Sequence, residues 1–434
     1  MKHVPLCTPS HAGRVRRLAL IGMVAAFAAV VTVSAPGLAS DRQDRPHHGS
    51  SAAVVNWNAV ASAGLGTDAA LSPPVMAVGM AYVEAAVYNA VVGISRRGPM
   101  YRWHERGPRG ASTDAATAAA ARRVLLHYFP VTGARVEAAY GQALDAIPEG
   151  PEKAAGLSFG ERAGDHLIAQ RADDGWFAPV ANTEPPAPGV WRPTPPAQAP
   201  YLAPWLGEMT PFTLRSSDQF RPGPPPALTS EEYARDVREV ESLGSATSTT
   251  RTARQTEIAR FFAGHLSIQL QDAYRDHVVR HGLGASAAAR YFAVATIAGA
   301  DAVIAAWDAK LRYHSWRPVT AINLADTDGN DATEADPTWA PLLVTPPFPE
   351  YVSGHTTVIG AVTQALRKLD GTRVVDLNMQ SPVTGTTRHY ETSRTLNNEG
   401  IGARIWGGIH FRTADEVGRD VGRDVGRWAF QSFD

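Results

Sequence analysis

The chain has 434 residues, 44% of them hydrophobic and 19% charged, which is enough apolar material for two or three domains or one large two-lobed unit. Its formal net charge of −1 excludes a long-range attraction to nucleic acid or to an anionic membrane. Its single cysteine, Cys7, excludes an intrachain disulfide.

The N-terminus has the pattern of a secretory signal peptide. A basic stretch ending in Arg16-Arg17 precedes an uncharged apolar run at 18–35, and small residues follow it up to Ala39. We therefore expect a signal peptide over residues 1–39 and a secreted or extracytoplasmic protein. The arginine pair is also a feature of twin-arginine signals, and an uncleaved membrane anchor is the alternative. Cleavage would leave no cysteine and no comparably long apolar segment free of charge, so we expect no membrane attachment of the mature protein.

The rest of the chain divides by composition. Residues 40–52 have the polar composition of a disordered leader, and residues 53–226 are predicted to form an N-terminal helical lobe. The end of that lobe, residues 181–226, is too rich in proline for regular helix, and its tryptophans predict an ordered strap packed on the surface. Residues 227–434 are predicted to form a C-terminal helical lobe. Because strand signals are sparse, we expect an all-α fold of two helical bundles with a proline-rich strap.

The first of three motifs in the C-terminal lobe carries two basic residues. Lys310 and Arg317 are seven residues apart, so on one continuous helix they would share a face about 10 Å apart at Cα. Pro318 is expected to end that helix and to place Arg317 at a rim. Both long side chains could then converge on one anion, although such spacing by itself is more typical of a solvated helix face.

The second motif predicts a helix N-terminus. Prolines at 346–349 favour an extended approach, and Ser353 is suited to cap the helix that follows. A helix N-terminus presents free N–H groups and a positive dipole end, which attract an anion. Gly354 permits a close backbone approach and His355 would lie in the first turn beside the anion. An ordinary capped helix with a surface histidine is the alternative.

The third motif contains Arg404 and His410, which are flanked by aromatic and aliphatic residues and are therefore expected to be buried. A buried arginine needs an anionic or carbonyl partner. Taken alone, His410 is more typical of a hydrogen-bonded core histidine.

The three motifs together resemble, in order and spacing, the signature of the acid phosphatase/vanadium haloperoxidase superfamily. The segments Trp-Arg-Pro-Val-Thr-Ala-Ile and Thr-Pro-Pro-Phe-Pro-Glu-Tyr are similar to its bacterial vanadium-dependent haloperoxidase branch. The resemblance covers mainly residues 300–426, and it implies the helical-bundle fold of the vanadium chloroperoxidases.

The resemblance also implies roles for these residues. His410 is expected to bind vanadium, as vanadate, in a haloperoxidase or to attack phosphorus in a phosphatase, and His355 to act as acid and base. The oxyanion would be held by three cations and two neutral donors: Lys310, Arg317, Arg404, the Ser353 hydroxyl and the Gly354 N–H.

The chain departs from the family pattern at three positions. Val352 replaces a proline, and Ala403 replaces a serine. Ala414 stands four residues after His410, where the family commonly has an acidic residue, and Asp415 comes one residue later. The last departure leaves open which group orients the His410 ring.

Two aromatic residues favour haloperoxidase over phosphatase. Trp307 and Phe348 are similar in position to rings that line the pocket of fungal vanadium chloroperoxidases, although core packing is the alternative. We therefore expect hydrogen peroxide and a halide or organic acceptor as substrates. The alternatives are a secreted acid phosphatase acting on phosphate monoesters, which needs no cofactor, and a non-catalytic oxyanion-binding protein. An oligomer is compatible with the sequence.

One further histidine pair lies outside these motifs. His277 and His281 are four residues apart on a predicted helix and could chelate a metal, but no third ligand is evident in the sequence. We interpret them as an exposed pair.

Overall fold

The computed structural model describes residues 50–181 and 184–433. The predicted signal peptide at 1–39 and the first ten residues of the predicted leader lie outside the described residues, so these predictions stay predictions. Residue 52 begins the first helix, so the leader ends one residue before its predicted limit.

The first half of the described chain contributes five α-helices. A π-helical turn, Gly64–Asp68, extends the first of them, and a 3-10 turn, Pro130–Thr132, precedes the fourth. The helices are α1 (Ala52–Ala63), α2 (Pro73–Ser95), α3 (Thr113–Tyr128), α4 (Gly133–Asp145) and α5 (Pro151–Gln170).

The second half contributes eight α-helices and one antiparallel hairpin among the described residues. The helices are α6 (Glu231–Gly244), α7 (Ala253–Phe261), α8 (Leu266–Arg280), α9 (Ala285–Tyr313), α10 (Pro318–Asn323), α11 (Gly354–Leu369), α12 (Ser393–Trp406) and α13 (Arg412–Gln431). The hairpin pairs β1 (Val374–Ser381) with β2 (Thr386–Thr392), in a register that sets Leu377 opposite Tyr390. The expectation of an all-α fold is confirmed, with this hairpin as its β-structure.

The core is built around α2 and α9, which pack against each other. Both are long and apolar enough to cross a membrane by length and composition, but 94% and 100% of their most apolar windows lie buried inside the protein. They are therefore buried core helices, whose apolar residues face neighbouring helices on all sides. The described residues form one compact unit, and the predicted boundary at residue 226 stays a prediction.

Close packing of α13 on α11 fixes the frame of the motifs in the C-terminal half. Gly418, Gly422 and Gly426 form a stripe on α13, and a Cβ at any of them would overlap the backbone or the hydroxyl groups of α11 and the residue before it. Without side chains on this stripe the two backbones come into contact. This contact places the start of α11 beside the start of α13.

The described part of the proline-rich strap, residues 181 and 184–226, is ordered, as predicted. Trp191 and Trp205 are 4% and 6% exposed. The strap also bonds to the loops that carry the motifs: the Trp191 N–H donates to the His314 carbonyl, and the Leu202 N–H donates to the Pro347 carbonyl at 2.8 Å. Its function in the fold is therefore to hold these two loops in place.

Candidate active site

Arg317 does not share a helix with Lys310, so this part of the prediction was wrong. Helix α9 ends at Tyr313, because His314 adopts a left-handed conformation with φ of 47°. Arg317 is instead the N-cap residue of α10, and Pro318 begins that helix rather than ending the previous one. A proline at the first helical position loses no hydrogen bond there. Arg317 is fully buried, not at a rim.

Lys310 bonds to the protein backbone. Its Nζ donates to the carbonyl oxygens of Pro349, Glu350 and Val352 at 2.7, 3.0 and 2.6 Å. Burial beside Arg317 lowers the pKa of Lys310, but three carbonyl acceptors need all three ammonium protons, so the side chain is charged. In this conformation Lys310 orders the segment before α11 and contributes positive charge. Its predicted direct bond to an oxyanion stays a prediction.

The Arg317 guanidinium connects two of the motifs. Its Nε donates to the Phe348 carbonyl at 2.7 Å, and its Nη1 lies 2.7 Å from the Ile409 carbonyl and 2.9 Å from His410 Nε2. Burial lowers its pKa to about 9, so it remains charged at neutral pH. The second terminal nitrogen, Nη2, is buried and has no hydrogen-bond partner among the described residues.

His410 is oriented by Glu350, a residue that the sequence interpretation did not assign. The Glu350 Oε1 lies 2.9 Å from His410 Nδ1 and also accepts the Phe411 N–H at 3.0 Å. Arginine can only donate, so the contact with Arg317 requires a lone pair on His410 Nε2, and the ring proton lies on Nδ1. The ring therefore presents the nitrogen of an imidazole ligand.

The electrostatics of this pair support that tautomer. Burial raises the pKa of Glu350 to about 7, against the Phe411 N–H and the charges of Arg317 and Lys310. Burial, with Arg317 next, lowers the pKa of His410 well below its usual value, so the ring is neutral. Glu350 stands in the Pro-Phe-Pro-Glu-Tyr segment already noted, three residues before Ser353. It therefore precedes His410 in the sequence, whereas the acidic residue expected from the family pattern follows the histidine.

Asp415 is close to the site but does not contact His410. Its carboxyl group is fully buried and has no hydrogen-bond partner that meets normal geometry. Burial raises its pKa well above the usual range, and the nearby Ser353 and Arg404 act in the opposite direction. Asp415 therefore does not replace the acidic residue missing at 414.

His355 and Arg404 form a second arginine–histidine pair in the site, beside Arg317 and His410. Arg404 Nη1 lies 3.0 Å from His355 Nδ1 and donates to the Phe262 carbonyl at 3.0 Å. Because the guanidinium can only donate, Nδ1 accepts and the ring proton lies on Nε2. Burial and the Arg404 charge lower the pKa of His355 well below its usual value. A neutral His355 therefore offers an N–H at Nε2, which has no hydrogen-bond partner among the described residues.

The start of α11 matches the second motif in part. Ser353 is the N-cap residue and His355 lies in the first turn, but the Ser353 hydroxyl makes no capping hydrogen bond. Its Oγ is buried and unpaired. A Cβ on Gly354 would lie 2.8 Å from Cζ3 of Trp307, so this glycine is required by the indole ring as well as permitting approach of a ligand.

Trp307 and Phe348 pack against each other and against the cations. Their ring centroids are 4.9 Å apart, and Phe348 lies between Lys310 Nζ at 5.0 Å and Arg317 Cζ at 4.7 Å from its centroid. Both rings line a cavity of about 600 Å³ that also reaches His355. Aliphatic and aromatic side chains form much of its wall, including Leu202, Phe262, Leu266, Val303, Leu342 and Leu343.

The site as a whole is a buried set of unused donors. Besides the two Asp415 oxygens, four side-chain donor atoms of the site have no partner within the described residues: Arg317 Nη2, Ser353 Oγ, His355 Nε2 and Arg404 Nε. Buried polar groups are nearly always hydrogen-bonded, so unpaired donors from three motifs imply a ligand that accepts several hydrogen bonds. A tetrahedral or trigonal-bipyramidal oxyanion has this chemistry, and the residues present fit vanadate or phosphate.

Comparison with known proteins agrees with the fold and the motifs. The family model of the VCPO second helical-bundle domain matches residues 290–434. The vanadium chloroperoxidase of Curvularia inaequalis is 26% identical over 290 residues, which cover 51% of this chain and 47% of that protein. The chain thus spans about half the length of this curated relative.

Two solved structures extend the likeness to nearly the whole chain. The crystal structure of the first bacterial vanadium-dependent iodoperoxidase has a TM-score of 0.78 at 23% identity, covering 90% of this chain and 99% of that one. A holo-type bacterial vanadium-dependent chloroperoxidase has a TM-score of 0.67 at 18% identity, covering 85% and 93%. At these identities the likeness establishes the fold.

The fold and the site define a helical-bundle protein with a buried cluster of histidines and cations whose unpaired donors suit an oxyanion. Its residues 290–434 match the second helical-bundle domain of the vanadium chloroperoxidases. The resemblance found in the motifs is therefore confirmed: the chain is similar in sequence to a vanadium chloroperoxidase and in fold to bacterial vanadium-dependent haloperoxidases.

Proposed function

We propose that the chain is a vanadate-dependent haloperoxidase that oxidises a halide with hydrogen peroxide to a hypohalous species. The observation that carries this proposal is the set of unpaired, buried donors around His410 and His355. Two neutral histidines and three cations in a buried pocket match a bound oxyanion better than any ligand without several acceptor oxygens.

Each donor has a place in this proposal. His410 Nε2 would bind vanadium through its lone pair once Arg317 Nη1, which donates to it here, turns to an oxygen of the anion, and Glu350 holds the ring in the tautomer that makes this possible. Arg317, Arg404 and Ser353 would bond the oxygens. Vanadate, when bound, would supply the Lewis-acid centre that activates peroxide toward halide. The protein's part is to hold the anion, to neutralise its charge and to exclude water.

His355 takes the proton-handling role, with one constraint set by Arg404. In the tautomer fixed by Arg404, His355 Nε2 carries a proton and donates toward the anion. Accepting a proton at Nε2 requires the other tautomer, in which Nδ1 is protonated and the Arg404 contact is broken. We therefore propose that His355 is a donor in the resting site and becomes a base when Arg404 turns to the bound anion.

The cavity beside His355 supports a role for an organic acceptor. Its volume of about 600 Å³ and its aliphatic wall are in the range of sites for small organic molecules. Trp307 and Phe348 would place an apolar, cation-flanked surface next to the anion, which suits a poorly hydrated halide or an aromatic substrate.

A phosphatase would use the same donors, and His410 would then be the nucleophile. Leaving-group protonation needs a charged His355 at the start of the reaction, whereas burial and Arg404 lower its pKa. This contrast favours the peroxidase. A protein that only binds the oxyanion has no need of His355.

The deciding experiment compares three activities of one preparation. Apo protein is assayed for halide-dependent peroxide consumption with and without orthovanadate, using iodide, bromide and chloride in parallel, and for hydrolysis of an aryl phosphate. We expect halide oxidation only with orthovanadate. Aryl phosphate hydrolysis that vanadate inhibits, without halide oxidation, would establish the phosphatase instead. Neither reaction, with tight vanadate binding, would leave an oxyanion-binding protein.

We also propose that the protein is exported through its N-terminal segment. The sequence support is the basic, apolar and small-residue order of residues 1–39. Expression of the full chain in a bacterial host, followed by N-terminal sequencing of the exported protein, tests this. A mature terminus at Ser40 is expected, and retention of the intact chain in the cytoplasm would contradict export.

A further inference from the structure

A second cluster of metal-ligand side chains lies where α8 packs on the hairpin. His277 and His281 come from α8, and Asp376 comes from β1. One ligand atom from each of the three lies within 4.8 Å of the others. We propose that these three residues form a Zn²⁺ site that fastens the β1–β2 hairpin to α8. The tertiary structure thus provides the third ligand that was not evident in the sequence.

The interpretation of the histidines as an exposed pair was wrong for one of them. His277 is 6% exposed, and its ring stacks on Tyr291 with centroids 4.6 Å apart and an interplanar angle of 13°. Its Nδ1 also lies 3.2 Å from the Asp376 carbonyl. The ring is therefore held in place before any metal binds, which reduces the entropy lost on binding. His281, at the C-cap of α8, lies 4.2 Å from it between ring centroids.

Asp376 contacts both histidines, His277 through its backbone carbonyl and His281 through its carboxylate. It has a left-handed φ of 44°, and its Oδ2 lies 2.6 Å from His281 Nε2. Arg280 also contacts this residue, donating to Oδ2 and to the carbonyl oxygen at 2.8 Å each. The other oxygen, Oδ1, makes no hydrogen bond to a described residue, and its neighbour His389 is 3.7 Å away. Oδ1 can therefore bind a cation while Arg280 keeps Oδ2.

The donor set selects the metal. Two imidazoles and one carboxylate match Zn²⁺, whereas Mg²⁺ and Ca²⁺ prefer oxygen ligands alone. Zinc bonds of about 2.0–2.2 Å separate tetrahedral ligands by roughly 3.4 Å, and ligand atoms of the three residues already lie within 4.8 Å of one another, so side-chain movements of about 1 Å would bring them to bonding distance. The half-exposed side chain of His281 allows that movement. Water or His389 can fill the fourth position.

Zn²⁺ bound at this cluster would stabilise the packing of the β1–β2 hairpin on α8. The hairpin leads directly into α12, the helix that ends with Arg404 and its neighbours. A metal bound by both α8 and β1 would stabilise only the folded arrangement, so it should raise the unfolding temperature in proportion to its occupancy. This stabilisation does not depend on vanadate or on the proposed peroxidase reaction.

The test uses Zn²⁺ itself and the chelator-treated full-length protein. Metal content after dialysis, isothermal titration and the unfolding temperature are measured for the wild type, His281→Ala and Asp376→Asn. His104→Ala is the matched control, since it removes an exposed histidine outside the cluster. Asparagine tolerates the left-handed backbone at 376, so Asp376→Asn should fold normally. Far-UV circular dichroism checks the fold of each variant.

We expect one Zn²⁺ per chain that depends on the cluster, a rise in unfolding temperature with Zn²⁺ and no such rise with Mg²⁺. His281→Ala and Asp376→Asn should each weaken binding at this site by about tenfold or more, in line with removal of a ligand contact. His104→Ala should match the wild type. Absence of zinc binding to the wild type would overturn the proposal. Equal zinc binding by the wild type and both ligand variants would also overturn it, because the metal would then lie elsewhere, for example on the active-site histidines.

Discussion

Glu350 and His410 are 60 residues apart in sequence and are joined by a hydrogen bond of 2.9 Å between Oε1 and Nδ1. Both side chains are buried. The bond places the imidazole proton on Nδ1, so the lone pair lies on Nε2, where it accepts from Arg317 and would bind a ligand atom once Arg317 turns to the anion. The family commonly takes this acidic partner from four residues after the histidine, and here it comes from the segment before α11.

Replacing the charge at Glu350 should weaken vanadate binding. In Glu350→Gln the amide oxygen still accepts from Nδ1 but no longer makes the ring a stronger ligand, so we expect affinity to fall about 10–100-fold. Isothermal titration calorimetry with orthovanadate measures the dissociation constant of each protein. Glu239→Gln is the control, because Glu239 pairs with Arg412 and not with a site histidine.

The same variant should change the pH dependence. The pKa of Glu350 is raised to about 7, so its charge is absent below that value and present above it. The ratio of the variant's Kd to the wild-type Kd should therefore grow from about pH 6 to about pH 8, while the ionisation of vanadate itself cancels in the ratio. A constant ratio across this range would assign Glu350 a purely structural role.

His410→Ala should abolish vanadate binding and halide oxidation together. The substitution removes the only imidazole whose lone pair is paired with Arg317 in the site. Helix content should persist, as checked by circular dichroism, because His410 lies in the loop between α12 and α13 rather than inside a helix. Turnover at the wild-type rate would remove His410 from the site.

The two arginines should not be replaceable by lysine. Arg317 uses Nε and Nη1 for three contacts and still has Nη2 free, a geometry that a lysine ammonium cannot reproduce. We expect Arg317→Lys and Arg404→Lys each to weaken vanadate or phosphate binding by about 1.5–3 kcal/mol, the scale of hydrogen bonds to charged groups. Arg412→Lys, in a surface ion pair, is the control. Equal affinity in both site variants would mean that these arginines only connect backbone segments.

His355→Ala should separate binding from turnover. The other donors remain, so vanadate affinity should stay within about tenfold of the wild type, whereas halide oxidation should fall about 100-fold or more. Loss of affinity equal to the loss of turnover would make His355 a binding residue. If the protein proves to be a phosphatase, the same variant should lose aryl phosphate hydrolysis, and the residue assignment would stand.

Gly422→Ala should destabilise the protein, although residue 422 does not itself line the site. Its Cβ would overlap the Thr357 carbonyl oxygen, so α13 must move away from α11, at a cost of about 1–3 kcal/mol. Gly141→Ala is the matched control, since a Cβ there meets nothing within 4 Å and alanine favours helix by up to about 1 kcal/mol. Denaturant unfolding compares the two, and equal stability would show that the helices are not in close contact.

The motifs themselves could be predicted from the sequence because they depend on local chemistry. A serine and glycine before an apolar run predict a helix start, and α11 begins at Gly354. Burial of Arg404 and His410 could be predicted from their apolar neighbours. The helical class could be predicted from the spacing of apolar residues, and the ordered strap from its tryptophans.

Only the tertiary structure decided which groups face each other. The bond between Glu350 and His410, the saturation of Lys310 by three carbonyls and the approach of Asp376 to His277 each join residues that are distant in sequence. Helix periodicity also misplaced Arg317, because the left-handed residue at 314 ends α9 only three residues after Lys310, before the helix can reach position 317. Local propensity determines where helices form, whereas partners across the fold depend on how helices pack, and here a glycine stripe and a proline-rich strap set that packing.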